Sequence, residues 1–182
     1  VVGVHRRTGE PFTGQLVLPG VVVTSGERLR DAAGRALAKL GLSAPDAVGQ
    51  LRTFDEPARD PRGPSLSIAM WAVFDDAAAR RADHAEWFPF GEVPELAFDH
   101  NAIIEAARVL LADSLWRDAR FTRALTGPVF SATDAVAITE QLDGRPPHRA
   151  NLNRDLAKNA ALAEAGTAPA TGGRPPKLWK WV

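Results

Sequence analysis

LPGVVVTSGERLRDAAGRALAKLGL, residues Leu18 to Leu42, decides how this chain is read. In its second half Leu29, Ala33, Leu37 and Leu40 recur at helical spacing, with Arg28, Arg30, Asp31, Arg35 and Lys39 between them. That pattern predicts an amphipathic helix from about Glu27 to Leu40. A helix does not explain the first half, a loop that begins Leu-Pro-Gly and carries a lone carboxylate, Glu27, at its end.

Outward from this segment, Val1 to Val4 and Gln15 to Leu18 read as strands around the turn Thr8 to Pro11, and Leu51 to Phe54 and Leu66 to Phe74 as two more. The last of these, LSIAMWAVF, is apolar enough to be expected at the centre of a sheet. Trp87 to Leu96 is interrupted by Pro89, Gly91 and Pro94 and reads as a loop. Asp99 is then expected to cap a helix that runs to about Ala112. Together these elements predict a mixed α/β domain over residues 1–113. A helical connector is expected over 114–130, with Trp116, Phe121 and Leu125 as packing residues.

Composition narrows the possibilities. Cysteine is absent, which excludes disulfides, thiolate metal sites and a cysteine nucleophile, and suits a reducing, cytoplasmic interior. No run approaches the ~18 consecutive apolar residues of a membrane span, and the start has no signal-peptide pattern. His5, His84, His100 and His148 have no paired spacing, so no metal site is expected. Net charge is zero, with 22 basic and 22 acidic residues, but the ends differ. From Arg145 onward seven Lys and Arg stand against Asp155 and Glu164, a surplus of five positive charges on a correspondingly acidic body. Such asymmetry is the footprint of a small module that meets a polyanion.

The basic end has a grammar of its own. Ser131 opens a helix with Asp134 at the capping-box position, and Gly144-Arg-Pro-Pro ends it. A second helix is expected from about His148 to Ala163, burying Leu152, Leu156 and Leu162 and exposing Arg149, Asn151, Asn153, Arg154 and Lys158. Arg and Asn carry the donor and acceptor forks that match guanine and adenine edges in the major groove. A Gly-, Ala- and Thr-rich loop follows at 166–173, then Arg174, Lys177 and the strand-like LWKWV. Helix, helix and basic hairpin predict a winged helix-turn-helix over residues 131–182, with Arg174 and Lys177 on the wing against DNA phosphates.

The segment Leu18 to Leu42 resembles the Nudix box, in which Gly, five residues, Glu, seven residues and Arg-Glu-apolar-x-Glu-Glu-x-Gly succeed one another. Counted from Val21, which replaces the leading Gly, Glu27 and Arg35 are in register, while the three later Glu positions hold Ala36, Lys39 and Leu40. Counted back from Gly41 they hold Arg35, Ala38 and Lys39. The box chemistry uses Mg²⁺, a hard cation that needs oxygen ligands, and Lys39 would repel it. More broadly, LPG at Leu18 to Gly20, FDEPARDPRG at Phe54 to Gly63, LAFDH at Leu96 to His100 and GRPPKLWKW at Gly173 to Trp181 resemble the Nudix-related transcriptional regulators of NAD metabolism. The first strand of such a domain is not found in the sequence, which leaves open whether residues precede Val1.

That resemblance implies a repressor in which a non-catalytic Nudix domain binds ADP-ribose or a related NAD-derived nucleotide and thereby changes the affinity of the winged helix for DNA. No cofactor is required on this reading, no catalytic residue is expected, and the protein acts as a homodimer on a pseudo-palindromic double-stranded operator. Arg7, Arg35, Arg59 and Arg62 are the expected diphosphate ligands, with Glu27 beside them. Phe98 is expected to fill core. The competing expectation is a hydrolase of ADP-ribose or a related nucleoside diphosphate, dependent on Glu27.

Overall fold

Strand β1 (Val2–Arg6) is the centre of an antiparallel sheet, flanked by β2 (Leu16–Val17) and by β5 (Glu86–Phe88). The computed structural model describes residues 1–169 and 175–182. The chain divides into two units, Val1–Ala107 and Arg108–Val182. Among the described residues no helix is long and apolar enough to cross a membrane.

In the first unit, helix α1 (Leu29–Ala38) follows the loop as expected, but its buried stripe is Ala32, Ala36 and the following Leu40, with Ala33 and Leu37 only half-buried. Gly41, at φ +77°, turns the chain back so that the Leu42 N–H donates to the Leu37 carbonyl at 3.2 Å. Glycine adopts that left-handed conformation without a Cβ penalty. Leu40 and Leu42 then pack with Ala82, Leu37, Phe74 and Trp87. A second cluster gathers Val4, Leu96 and Ile104 with Leu16, Leu18 and Phe88.

Strands β3 (Ala47–Phe54) and β4 (Ser67–Val73) form a separate two-stranded antiparallel ladder. The expectation that β4 is a central, buried strand is therefore corrected. It pairs only with β3 among the described residues, and Leu66, just before it, and Ile68, near its start, are exposed. Its apolar run reflects half-covered faces rather than burial on both sides. Helix α2 (Asp76–Arg81), capped by the Asp75 carboxylate on the Ala78 N–H at 2.6 Å, was not expected because it is too short to show a period. The supposed loop beginning at Trp87 also starts as strand β5; its Pro and Gly residues lie after those three residues, so they end the strand without preventing it.

Helix α3 (His100–Ser114) begins in the first unit and ends in the second. The second unit continues with α4 (Ala119–Thr126), β6 (Val129–Ser131), α5 (Ala132–Asp143), α6 (Arg149–Lys158), β7 (Leu162–Thr167) and β8 (Lys177–Trp181). The Asp118 carboxylate caps α4 through the Arg120 and Phe121 N–H groups. The Ser131 and Asp134 capping box forms at α5, which Gly144 ends in the left-handed conformation. Residues 114–130 thus contribute a capped helix and a strand to the second unit. Strand order is β6-β8-β7, all antiparallel.

The second helix was expected to continue to Ala163, but α6 stops at Lys158 and Leu162 opens a strand. The Asn159 side chain explains the break, donating to the Trp116 carbonyl at 3.0 Å and accepting from the Ala161 N–H at 3.0 Å. Leu162 is buried as expected, although from a strand. Phe130, Ala135, Val136, Leu152, Leu156, Leu162 and Trp179 form this unit's core, with Trp116 and Trp181 against it. Helices α4, α5 and α6 with the three-stranded β6-β8-β7 sheet constitute a winged helix-turn-helix.

Candidate functional site

The loop before α1 is tied together by side chains of the helix it precedes. Arg35 donates through Nε and Nη2 to the two oxygens of Glu27, each at 2.7 Å, and through Nη2 to the Val22 carbonyl at 2.8 Å. Glu27 also accepts from the Thr24 N–H at 2.9 Å and the Thr24 hydroxyl at 3.1 Å. The Arg35 guanidinium, followed by these Thr24 donors, lowers the Glu27 pKa to about 2. One turn further on, the Lys39 ammonium donates to the Gly20 carbonyl at 2.5 Å.

This donor set does not fit Mg²⁺. Both Glu27 oxygens are occupied by Arg35 and Thr24, Ala36 and Leu40 are buried apolar residues, and Lys39 brings a positive charge. Among the described residues no group of three His, Asp or Glu is placed to hold a metal ion. The cations gather instead. Burial, then Arg7 and Arg35, lower the Lys39 pKa, while burial is the main cause lowering that of His5, with Lys39 and Arg7 adding to it.

A second group forms around Phe98, which adopts φ +61°. The Arg7 guanidinium lies over its ring at 5.1 Å and that of Arg62 at 5.9 Å, while the Phe12 ring meets it edge-on at 4.8 Å. Arg7 is oriented by the Pro11 and Glu10 carbonyls, at 2.5 and 2.8 Å. Arg62 is held by Asp60 in two contacts of 2.9 and 2.6 Å, and that pairing lowers the Asp60 pKa to about 2. Phe98 is half-buried rather than core, the centre of a cationic and aromatic surface. A backbone outlier of this kind clusters with function often enough to be a signal, but it is invisible in sequence.

Arg59 has a different fate. Its guanidinium makes a bidentate pair with Asp99, at 3.0 and 2.8 Å, with side-chain exposures of only 8% and 16%. The Asp99 carboxylate is therefore engaged by Arg59 and not by a helix cap, and Arg59 is not a free anion donor. Beside them, His100 accepts the Leu18 N–H at Nδ1, 2.9 Å, which fixes the neutral tautomer. Burial, the dominant cause, lowers the His100 pKa to about 4.

On the second unit, Arg149, Asn151, Arg154 and Lys158 are exposed on α6. Arg154 Nη2 donates to the Asn151 side-chain oxygen at 3.2 Å, so the two are presented together. His148 sits at the N-cap and accepts from the Asn151 N–H at 3.4 Å. Asn153 does not join the exposed stripe. It is half-buried, and its Oδ1 is enclosed without a partner among the described residues, because its position follows the buried Leu152 around the helix. On β8, Lys177 pairs with Glu164 of β7 at 2.7 Å. Arg174 lies outside the described residues.

No family model matches the chain. An ADP-ribose pyrophosphatase of Methanocaldococcus jannaschii is 33% identical over 103 residues, 55% of this chain, which spans 61% of the length of that relative. Among solved structures, NrtR of Shewanella oneidensis complexed with a 27mer DNA matches 99% of this chain and 85% of its own at a TM-score of 0.78 and 25% identity. The same protein without DNA matches at 0.77 and 27% identity, with 99% and 86% covered. A MutT/nudix family protein from Enterococcus faecalis, at 22% identity and a TM-score of 0.69, covers 99% of this chain and 80% of that one and shows the fold alone. Across almost its whole length, then, the chain has the architecture of a Nudix-related transcriptional regulator, a Nudix-like unit followed by a winged helix-turn-helix.

Proposed function

We propose that the chain is a DNA-binding transcriptional repressor whose Nudix-like unit binds ADP-ribose or a related NAD-derived nucleotide without cleaving it. The observation that carries this reading is the likeness, over 99% of this chain and 85% of the other, to NrtR solved on DNA. The exposed Arg149, Asn151, Arg154 and Lys158 face supports it on one unit, and the cations that occupy the eroded box support it on the other. Arg154 and Asn151 would read base edges, while Lys158, Lys177 and Arg174 would neutralise phosphates. Arg7, Arg35 and Arg62 would face the nucleotide, with Glu27 and Arg59 holding the surrounding loops. One winged helix reads few bases, so a homodimer on a pseudo-palindromic operator is part of the proposal. The nucleotide regulates by favouring one of two arrangements of the dimer, which requires different affinity for each.

Fluorescence anisotropy on a duplex from upstream of the chain's own gene, against a scrambled duplex, tests the reading. Preference for the upstream duplex, weakened by salt and altered by ADP-ribose, is the expected result. Equal affinity for both duplexes with no response to ADP-ribose would overturn it. The likeness to an ADP-ribose pyrophosphatase favours a second reading, a hydrolase. Magnesium-dependent turnover of ADP-ribose that is lost in Glu27→Gln would establish that reading.

A further inference from the structure

Lys39 is the one residue that falls on a carboxylate position of the Nudix box in either register, counted from Val21 or back from Gly41. The structure shows where its charge goes. Its ammonium reaches across the loop to the Gly20 carbonyl, beside Arg35, which holds the Val22 carbonyl of the same loop. The charge of Arg7, which follows β1, contributes to lowering the Lys39 pKa, and its own donors rest on the Pro11 and Glu10 carbonyls. Glu27 is bound to Arg35 and Thr24 and does not neutralise this pair. Lys39 and Arg7 are thus each held by backbone oxygens. Positive charge on Arg7 and Arg35 disfavours the Lys39 ammonium, a cost that an entering anion would relieve.

We propose that the Lys39 ammonium, together with Arg7, takes the place of the divalent cation beside this loop, so that a nucleotide diphosphate is bound without metal. The diphosphate oxygens would replace the Gly20, Pro11 and Glu10 carbonyls as acceptors. A tethered ammonium neutralises phosphate charge as Mg²⁺ does, but it has no exchangeable water to activate and cannot generate the attacking hydroxide. Binding and cleavage are thereby separated by one side chain. This inference rests on the effector reading proposed above for the same unit.

Titration calorimetry of the full chain with ADP-ribose, in EDTA and then in Mg²⁺, tests it on wild type, Lys39→Met and Lys39→Glu. Lys39 is exposed, so neither change disturbs the core, and circular dichroism checks that both variants fold. Wild type is expected to bind equally in both conditions. Lys39→Met should weaken binding about tenfold or more in both, the scale of one charge-assisted hydrogen bond. Lys39→Glu should bind poorly in EDTA and recover in Mg²⁺. Arg30→Met, which removes an exposed charge of the same helix, should stay within about twofold of wild type and so exclude a general charge effect.

Wild-type binding that requires Mg²⁺, or unaltered binding by Lys39→Met, would overturn the proposal while leaving the effector reading intact. Inorganic pyrophosphate separates the converse case. If it binds in EDTA in a Lys39-dependent way while ADP-ribose does not, the metal-free diphosphate site stands and the nucleotide assignment falls. If neither ligand binds, both are refuted.

Discussion

Acidification should destabilise the first unit through His100 in a way that a single substitution removes. Burial lowers its pKa from 6.5 to about 4, and Arg59, Arg7 and His5 act in the same direction against Asp99. The folded state holds the ring neutral, with Nδ1 accepting the Leu18 N–H, while the unfolded chain protonates it near 6.5. Stability from this group is therefore fully present above about pH 6.5 and falls as pH drops toward about 4, below which the loss levels off. The difference in pKa corresponds to about 3 kcal/mol in total, of which about 2 kcal/mol is lost by pH 5. His100→Asn offers a carbonyl oxygen near the Nδ1 position to accept the same N–H and does not titrate. Urea unfolding at pH 7.5, 6, 5 and 4 should show wild type losing this amount in excess of the variant. Parallel profiles for the two proteins would refute the reasoning.

Two further substitutions probe other parts of the frame. Arg59→Ala leaves the buried Asp99 carboxylate without its bidentate partner and should cost about 3 kcal/mol, measured by denaturant unfolding; a cost below about 1 kcal/mol would show that water reaches the carboxylate. Gly144→Ala places a Cβ at φ +75° against the Arg108 guanidinium, whose Nε donates to the Leu142 carbonyl at 2.7 Å, and should lower stability by about 1 kcal/mol or more, read as a drop in melting temperature.

Local signals of helix and cap were legible in the sequence. Ser131 with Asp134, and Gly144 after Asp143, placed α5 almost to the residue because capping chemistry depends on neighbours within one turn. The winged-helix reading followed from those signals and the basic hairpin. Short elements were less legible: β5 has three residues, too few for an alternation, and α6 was overextended because Leu162 fits a helical spacing as well as it fits a strand. In the first unit, the box register marks Glu27 and Arg35 each as candidate site residues, but it does not show that they bind each other. The Arg59 to Asp99 pair spans 40 residues, and the Phe98 surface depends on backbone conformation, so neither leaves a mark in local sequence. Asn153 shows the opposite error. Polarity suggested exposure, whereas its position on α6 turns it inward.

The carbonyl contacts of Lys39 and Arg7 bear on the thermodynamics of ligand entry. Both side chains already rest on backbone oxygens, so an arriving anion would exchange one acceptor for another and would not have to order a mobile lysine and arginine. The rotamer cost, about 0.5–1.5 kcal/mol for each ordered side chain, is met during folding. The Gly20, Pro11 and Glu10 carbonyls released in the proposed exchange would then turn to water. On the proposed binding mode, affinity would be set by the difference between phosphate and peptide oxygens as acceptors, and the loops that lose their ties would become freer as the ligand becomes fixed.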